Sequence, residues 1–218
     1  AAMLCLALSL MCAVGLANEK IDPSELQIGV IMIGDTSDMG FNYSHLVGLQ
    51  EMQKNLGIED RQITILENVA DDSTCADAIS ELISNGCNVI IGNSFGFQTY
   101  MYEAAAQHPE VLFCHYSGLL QNDTNFCRFN ARNYQTRYLQ GIAAAMRSES
   151  GKIGFVGAFK NAEVNVSLNA YALGAQSVNP DVTVYVKYTN SWYDPDGETA
   201  AANALIDLGC DVICQYVN

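Results

Sequence analysis

The chain has 218 residues, 50% of them hydrophobic and 16% charged, with a formal net charge of −14 at pH 7. That is ample apolar material for buried cores. The negative balance argues against partners gripped through basic patches, namely nucleic-acid backbones and anionic membrane surfaces.

In chain order, residues 3–16 are apolar and uncharged, too short to span a bilayer, and lead into Gly15-Leu16-Ala17. Small residues at Gly15 and Ala17 fit a signal-peptidase site, so a signal peptide is expected over 1–17 and a mature start near Asn18. Ala1 stands where an initiator methionine would, and no basic residue precedes the run, so a clipped N-terminus is expected. Cys12 follows Leu10-Met11, whereas lipid attachment wants a small residue there; a soluble exported protein is preferred over a lipoprotein. No second long apolar segment follows.

The run 28–33, bounded by glycines, reads as a buried strand of a parallel sheet. It empties into a polar loop and a helix beginning near Phe41. Open α/β sheets bind ligands beyond the carboxyl ends of their strands, so this loop is where a site belongs. It offers a carboxylate (Asp38), an aromatic ring (Phe41), an amide (Asn42) and an imidazole (His45), but no glycine-rich phosphate cradle. An ordinary polar loop with a capped helix would have the same composition.

Further strands are predicted over 63–69, 89–91, 111–115, 153–156, 182–186 and 212–216, and helices over 42–56, 74–85, 97–107, 134–146, 166–178 and 197–208. Thr74 and Asp77 suggest a capping box, while Asn85-Gly86 and Leu208-Gly209 supply helix stops. Strands alternating with helices imply an α/β fold with parallel sheets. The turn 148–151 is followed by Lys152-Ile153-Gly154-Phe155-Val156-Gly157, which repeats the style of the opening strand. Two similar lobes are therefore expected, over 18–147 and 148–218, the second incomplete because it stops after three strands, so the chain reads as a fragment.

Enzyme chemistry has little to stand on. There is no G-x-S-x-G elbow, H-E-x-x-H motif or Walker loop, and the histidines number three: His45, His108 and His115. The cysteines after the leader (Cys75, Cys87, Cys114, Cys127, Cys210, Cys214) do not follow zinc-knuckle spacing, and several lie in apolar runs where cysteine acts as a small hydrophobe. One or two bridges are permitted in an exporting compartment, with no pairing assignable. No metal and no cofactor are expected. Binding is better supplied. Asn93-Ser94-Phe95-Gly96-Phe97, Ser117-Gly118, Gly157-Ala158-Phe159 and Asn190-Ser191-Trp192-Tyr193-Asp194 each follow a strand, and rings with amides and carboxylates suit a planar heteroaromatic ligand. One of Phe95 and Phe97 is expected to pack beneath its loop instead. Trp192 lies in a polar stretch and reads as a site residue rather than core.

These residues also carry a resemblance. Asp38-Met39-Gly40-Phe41-Asn42 with His45 and Gly48, the segment 138–144, Lys152 to Gly157, Asn169 to Gly174, Val178-Asn179-Pro180, Asn190 to Pro195 and Gly209 to Ile213 together resemble the basic membrane protein family of solute-binding proteins, which includes purine nucleoside receptor lipoproteins of ABC importers. The resemblance spans about residues 26–218. It implies a type I periplasmic-binding-protein fold, two doubly wound parallel-sheet lobes closing on a purine base or nucleoside. It implies ligand contacts from Asp38, Phe41 and Asn42, with His45 in the same motif, a ring from Phe95 or Phe97, and Asn169 and Trp192 from the second lobe. An ABC permease is the implied partner, the chain acting as an exported monomer at the periplasm or cell surface, membrane-anchored in some members. The aspartate and lysine that hold the sugar in nucleoside receptors would lie beyond Asn218, and no lipidation cysteine is evident. A ligand-responsive sensor or regulator of the same fold is the alternative reading.

Overall fold

The computed structural model describes residues 21–217; the expected leader, Cys5, Cys12 and the mature start near Asn18 lie outside the described residues. The chain forms two compact units that meet in sequence at Phe129 and Asn130.

The first unit is built on a five-stranded parallel sheet. Its strands are β1 (Ile28–Ile31), β2 (Ile63–Leu66), β3 (Val89–Gly92), β4 (Leu112–Tyr116) and β5 (Phe126–Phe129), in the order β2-β1-β3-β4-β5. Helices α1 (Phe41–Leu56), α2 (Thr74–Ser84) and α3 (Gln98–Gln107) cover it. All four residues of β1 are buried, which is why the sequence shows a continuous apolar run there rather than alternation. Ile28 and Val30 pack with Leu49 of α1, while Ile31 packs with Leu82 of α2, Met101 of α3 and Phe97. Gly29 makes room for this: a Cβ there would lie 2.6 Å from Leu82 Cδ1.

The second unit holds β6 (Lys152–Gly157), β7 (Thr183–Tyr188) and β8 (Val212–Tyr216) as a parallel sheet in the order β7-β6-β8, with helices α4 (Asn133–Arg147), α5 (Ala162–Val178) and α6 (Pro195–Asp207). Ile153 and Phe155 of β6 face Ala144, Ala145, Val164 and Tyr171, whereas Val156 packs with Leu205 of α6 and with Cys210. The fold is the expected α/β architecture.

Three local readings change. Helix α4 belongs with the second unit, not with the first lobe ending at 147: its Gly141, Ala144 and Ala145 are buried, and Gly141 meets the α5 backbone at Tyr171. The expected break at 148–151 is a turn inside that unit, where Asp211 accepts hydrogen bonds from Ser148 Oγ (2.6 Å), Glu149 N (2.7 Å) and Ser150 N (2.7 Å). Thr74 does not cap α2. Ser73 occupies the cap position without a side-chain bond, and Asp72 Oδ1 accepts from Thr74 N at 2.8 Å. Strand β5 was not anticipated, because Cys127, Arg128 and Phe129 are exposed on an edge strand and give no buried pattern.

Candidate functional site

Each unit collects aromatic and polar side chains at the carboxyl ends of its strands. In the first unit, β1 runs into a single 3-10 turn (Thr36–Asp38) that precedes α1. Met39 adopts a left-handed conformation (φ 49°), which turns the chain so that Asp38 points back at the start of α1. Asp38 Oδ1 accepts from Gly40 N and Tyr43 N at 2.9 Å each, and Oδ2 accepts from Asn42 N (2.8 Å) and Asn42 Nδ2 (2.9 Å). The carboxylate thus satisfies helix N-terminal amides that would otherwise lack partners, where negative charge is also favoured by the helix dipole. It does from two residues upstream what a capping side chain normally does.

Asn42 continues the network inward. Its Oδ1 accepts from Asn93 Nδ2 (2.9 Å) and from Gly34 N (3.3 Å), and Asn93 Oδ1 in turn accepts from Ile33 N (3.0 Å). Both amides are essentially fully buried. Asp38 and Asn42, expected at the ligand, are engaged here in holding the loop. With four donors on the Asp38 carboxylate and Asn42 closed off from solvent, the pair fixes the β1–α1 loop to the end of β3. Buried amides satisfied in this way cost little, whereas losing one partner leaves the other uncompensated.

What this scaffold positions is an aromatic group. The Phe41 and His45 ring centroids lie 4.7 Å apart, His45 and Tyr116 4.8 Å, Phe41 and Tyr116 5.7 Å, and Tyr116 and Phe129 5.6 Å, all edge-on. Phe41 and His45 sit one turn apart on α1, so their side chains share a face. Tyr116 and Phe129 end adjacent strands as register partners. Burial pushes the His45 imidazole pKa down, against the opposing pull of the Asp38 charge, which favours the neutral ring. Phe97 is buried in the core beneath its loop, leaving half-buried Phe95 as the accessible ring of that pair.

The second unit has its own group. Trp192, in the loop after β7, lies edge-on to Phe159 (5.3 Å between centroids) and tilted against Tyr216 (6.5 Å), the last residue of β8. Trp192 is half-buried, resting on the core beneath it with its remaining surface open. Polar groups surround the rings: Tyr216 OH donates to Glu163 Oε1 at 3.2 Å on the first turn of α5, and the Arg137 guanidinium lies 4.8 Å above the Tyr216 ring. Positive φ at Asn190 (57°) turns the loop that presents Trp192, and Asp194 ends it by accepting from Gly197 N at 3.0 Å to cap α6.

Asn169 is not brought into either group. It is exposed two turns into α5, roughly 10 Å along the axis from the helix start. Tyr116, Phe129, Glu163 and Tyr216 were missed by sequence reasoning; an aromatic residue closing a strand was the available signal for three of them. Among the described residues, no group of three or more His, Cys, Asp or Glu side chains could hold a metal ion. No described helix is long and apolar enough to cross a membrane.

Parallel α/β units of this kind bind small molecules beyond the carboxyl ends of their strands, where both units here gather aromatic rings. Comparison with known proteins agrees. The family model described as ABC transporter substrate-binding protein PnrA-like matches residues 25–218, and the chain belongs to this family. It is 39% identical over 194 residues to a purine-binding protein of Brucella abortus, covering 89% of this chain and 55% of that protein. It is also 39% identical over 186 residues to a Haloferax volcanii protein that bears the name of an ABC transporter glucose-binding protein, covering 85% and 46%. A solute-binding protein from Aeropyrum pernix K1 superimposes with a TM-score of 0.76 at 19% identity, over 88% of this chain and 55% of that one, which shows the shared fold. The chain spans about half the length of the curated relatives it matches.

Proposed function

We propose that this protein is the solute-binding component of an ABC importer and that its ligand is a purine base or nucleoside. The observation that carries the reading is the Phe159–Trp192–Tyr216 group, three rings gathered at the strand ends of the second unit with the Glu163 carboxylate bonded at its margin. Aromatic faces bind planar heteroaromatic rings by offset or edge contact, and a carboxylate accepts from exocyclic amines or ribose hydroxyls. The Phe41–His45–Tyr116 group of the first unit offers a further aromatic face. The purine-binding name of the Brucella relative supports this ligand class, and membership of the family supports a permease as partner.

Binding without turnover fits the side chains present. His45 lies edge-on to two rings with burial favouring its neutral form, and the Asp38 carboxylate is committed to backbone and amide donors. The protein works outside the cytoplasm as a monomer, handing unaltered ligand to its permease. The test is calorimetric titration with adenine, adenosine, guanosine and glucose, followed by mass analysis of recovered ligand. Saturable binding of a purine, recovered unchanged, is the expected result. Binding of glucose with no purine binding would replace the ligand assignment, and a chemically altered purine would overturn the binding-protein reading.

A further inference from the structure

We propose that Cys114 and Cys127 form a reversible disulfide that staples edge strand β5 to β4 directly behind the Tyr116–Phe129 pair. The two cysteines are register partners on adjacent parallel strands, and their sulfur atoms lie 3.4 Å apart. Neighbouring strands run about 4.7–4.9 Å apart, inside the roughly 4.4–6.8 Å separation of Cα atoms that a disulfide spans. The strand spacing therefore falls within the range that a disulfide bridges. Cys127 is exposed and within reach of a soluble oxidant, while Cys114 is half-buried against the α1 side of the sheet. Cys75, Cys87 and Cys210 are buried. The pair is not half of a metal centre, since no third ligating side chain joins it among the described residues.

The chemistry is thiol–disulfide exchange with a small disulfide such as oxidised glutathione. The Cys127 thiolate attacks one glutathione sulfur, giving a mixed disulfide and releasing one glutathione. Cys114 then attacks the Cys127 sulfur, loses its proton to solvent and expels the second glutathione. The two cysteines lose two electrons and two protons, and the glutathione disulfide gains both. Burial, with the neighbouring Cys127 adding to it, pushes the Cys114 thiol up to about 12, so the first attack falls to the exposed Cys127. Two residues further along the same strands, Tyr116 and Phe129 are register partners with ring centroids 5.6 Å apart. A covalent link at 114–127 holds Phe129 beside Tyr116 and so fixes the aromatic group in its observed arrangement. This inference does not depend on the identity of the ligand.

The test is to equilibrate the full chain under native conditions with oxidised glutathione, alkylate remaining thiols, and map peptides by mass spectrometry. The expected result is loss of two alkylatable thiols and one linked pair, Cys114 with Cys127, restored to thiols by dithiothreitol. Cys127→Ser, at an exposed position, should abolish the link, whereas Cys75→Ser should retain it. Alkylation of both Cys114 and Cys127 after oxidation of the folded wild-type chain would overturn the proposal. So would pairing of either with another cysteine.

Discussion

Gly141 of α4 and Gly174 of α5 are reciprocal contacts at a helix crossing. A Cβ on Gly141 would lie 2.0 Å from the Tyr171 carbonyl oxygen, and one on Gly174 would lie 2.0 Å from the Tyr138 carbonyl oxygen. The backbones touch, with no side chain between them that could yield. Tyr171, fully buried beside Phe155 (5.5 Å between ring centroids), fills the space below. The segments 138–144 and 169–174 are thus held by packing, which is why Asn169 shares a motif with this crossing and yet stands away from the strand ends.

Gly141→Ala or Gly174→Ala should force the helices apart. Overpacking a core typically costs about 1–3 kcal/mol, and a backbone obstacle places these sites at the upper end or beyond. Urea unfolding followed by far-UV circular dichroism should show that loss in each variant. Wild-type stability in either would mean that the crossing relaxes easily.

Asp38→Ala should weaken the ligand-free protein. The carboxylate serves Gly40, Asn42 and Tyr43 amides as well as the Asn42 side chain. Loss of one capping side chain costs about 0.5–2 kcal/mol, and here a buried amide is also left short of a partner. Thermal melts of ligand-free protein should show destabilisation. Unchanged melts with lost purine affinity would return Asp38 to direct ligand contact.

Acid should destabilise the first unit through its histidines. Burial lowers the pKa of His45 and of His115. A histidine whose folded pKa is depressed binds fewer protons than in the unfolded chain, so its stabilising effect is complete above the unfolded value, about 6.5, and declines as pH falls from there toward the folded value. His45→Phe keeps the ring and removes the titration. Its melting temperature should therefore fall less between pH 7 and pH 5 than that of the wild type. Parallel curves for the two proteins would show that His45 does not titrate differently on unfolding.

Much of the fold was legible because parallel strands buried on both faces leave uninterrupted apolar runs, as at Ile28–Ile31. Helix stops were legible at Gly86 and Gly209, where positive φ (85° and 89°) requires glycine. Edge strand β5 was not, since its exposed residues break the pattern. The unit boundary was misplaced because the turn at 148–151 is the visible punctuation, while α4 declares its allegiance only through a small-residue face. At the site, sequence singled out Asp38 and Asn42 but not the hydrogen bonds through which they tie the β1–α1 loop to the end of β3. A polar residue at a strand end reads the same whether it faces ligand or ties the loop down. Trp192 was distinguished by its polar surroundings, and the structure leaves it half-buried among rings.

The most direct test uses Trp192 itself, because it is the chain's single tryptophan. Stacking of a purine on its ring should quench its emission saturably on titration with adenine, adenosine or guanosine, with the midpoint matching the calorimetric Kd. Trp192→Ala should lose at least tenfold in purine affinity, about 1.4 kcal/mol. It should destabilise the ligand-free protein by less than the roughly 3–5 kcal/mol expected of a fully buried tryptophan. Purine binding that leaves the emission unchanged, or equal affinity in Trp192→Ala, would contradict the account.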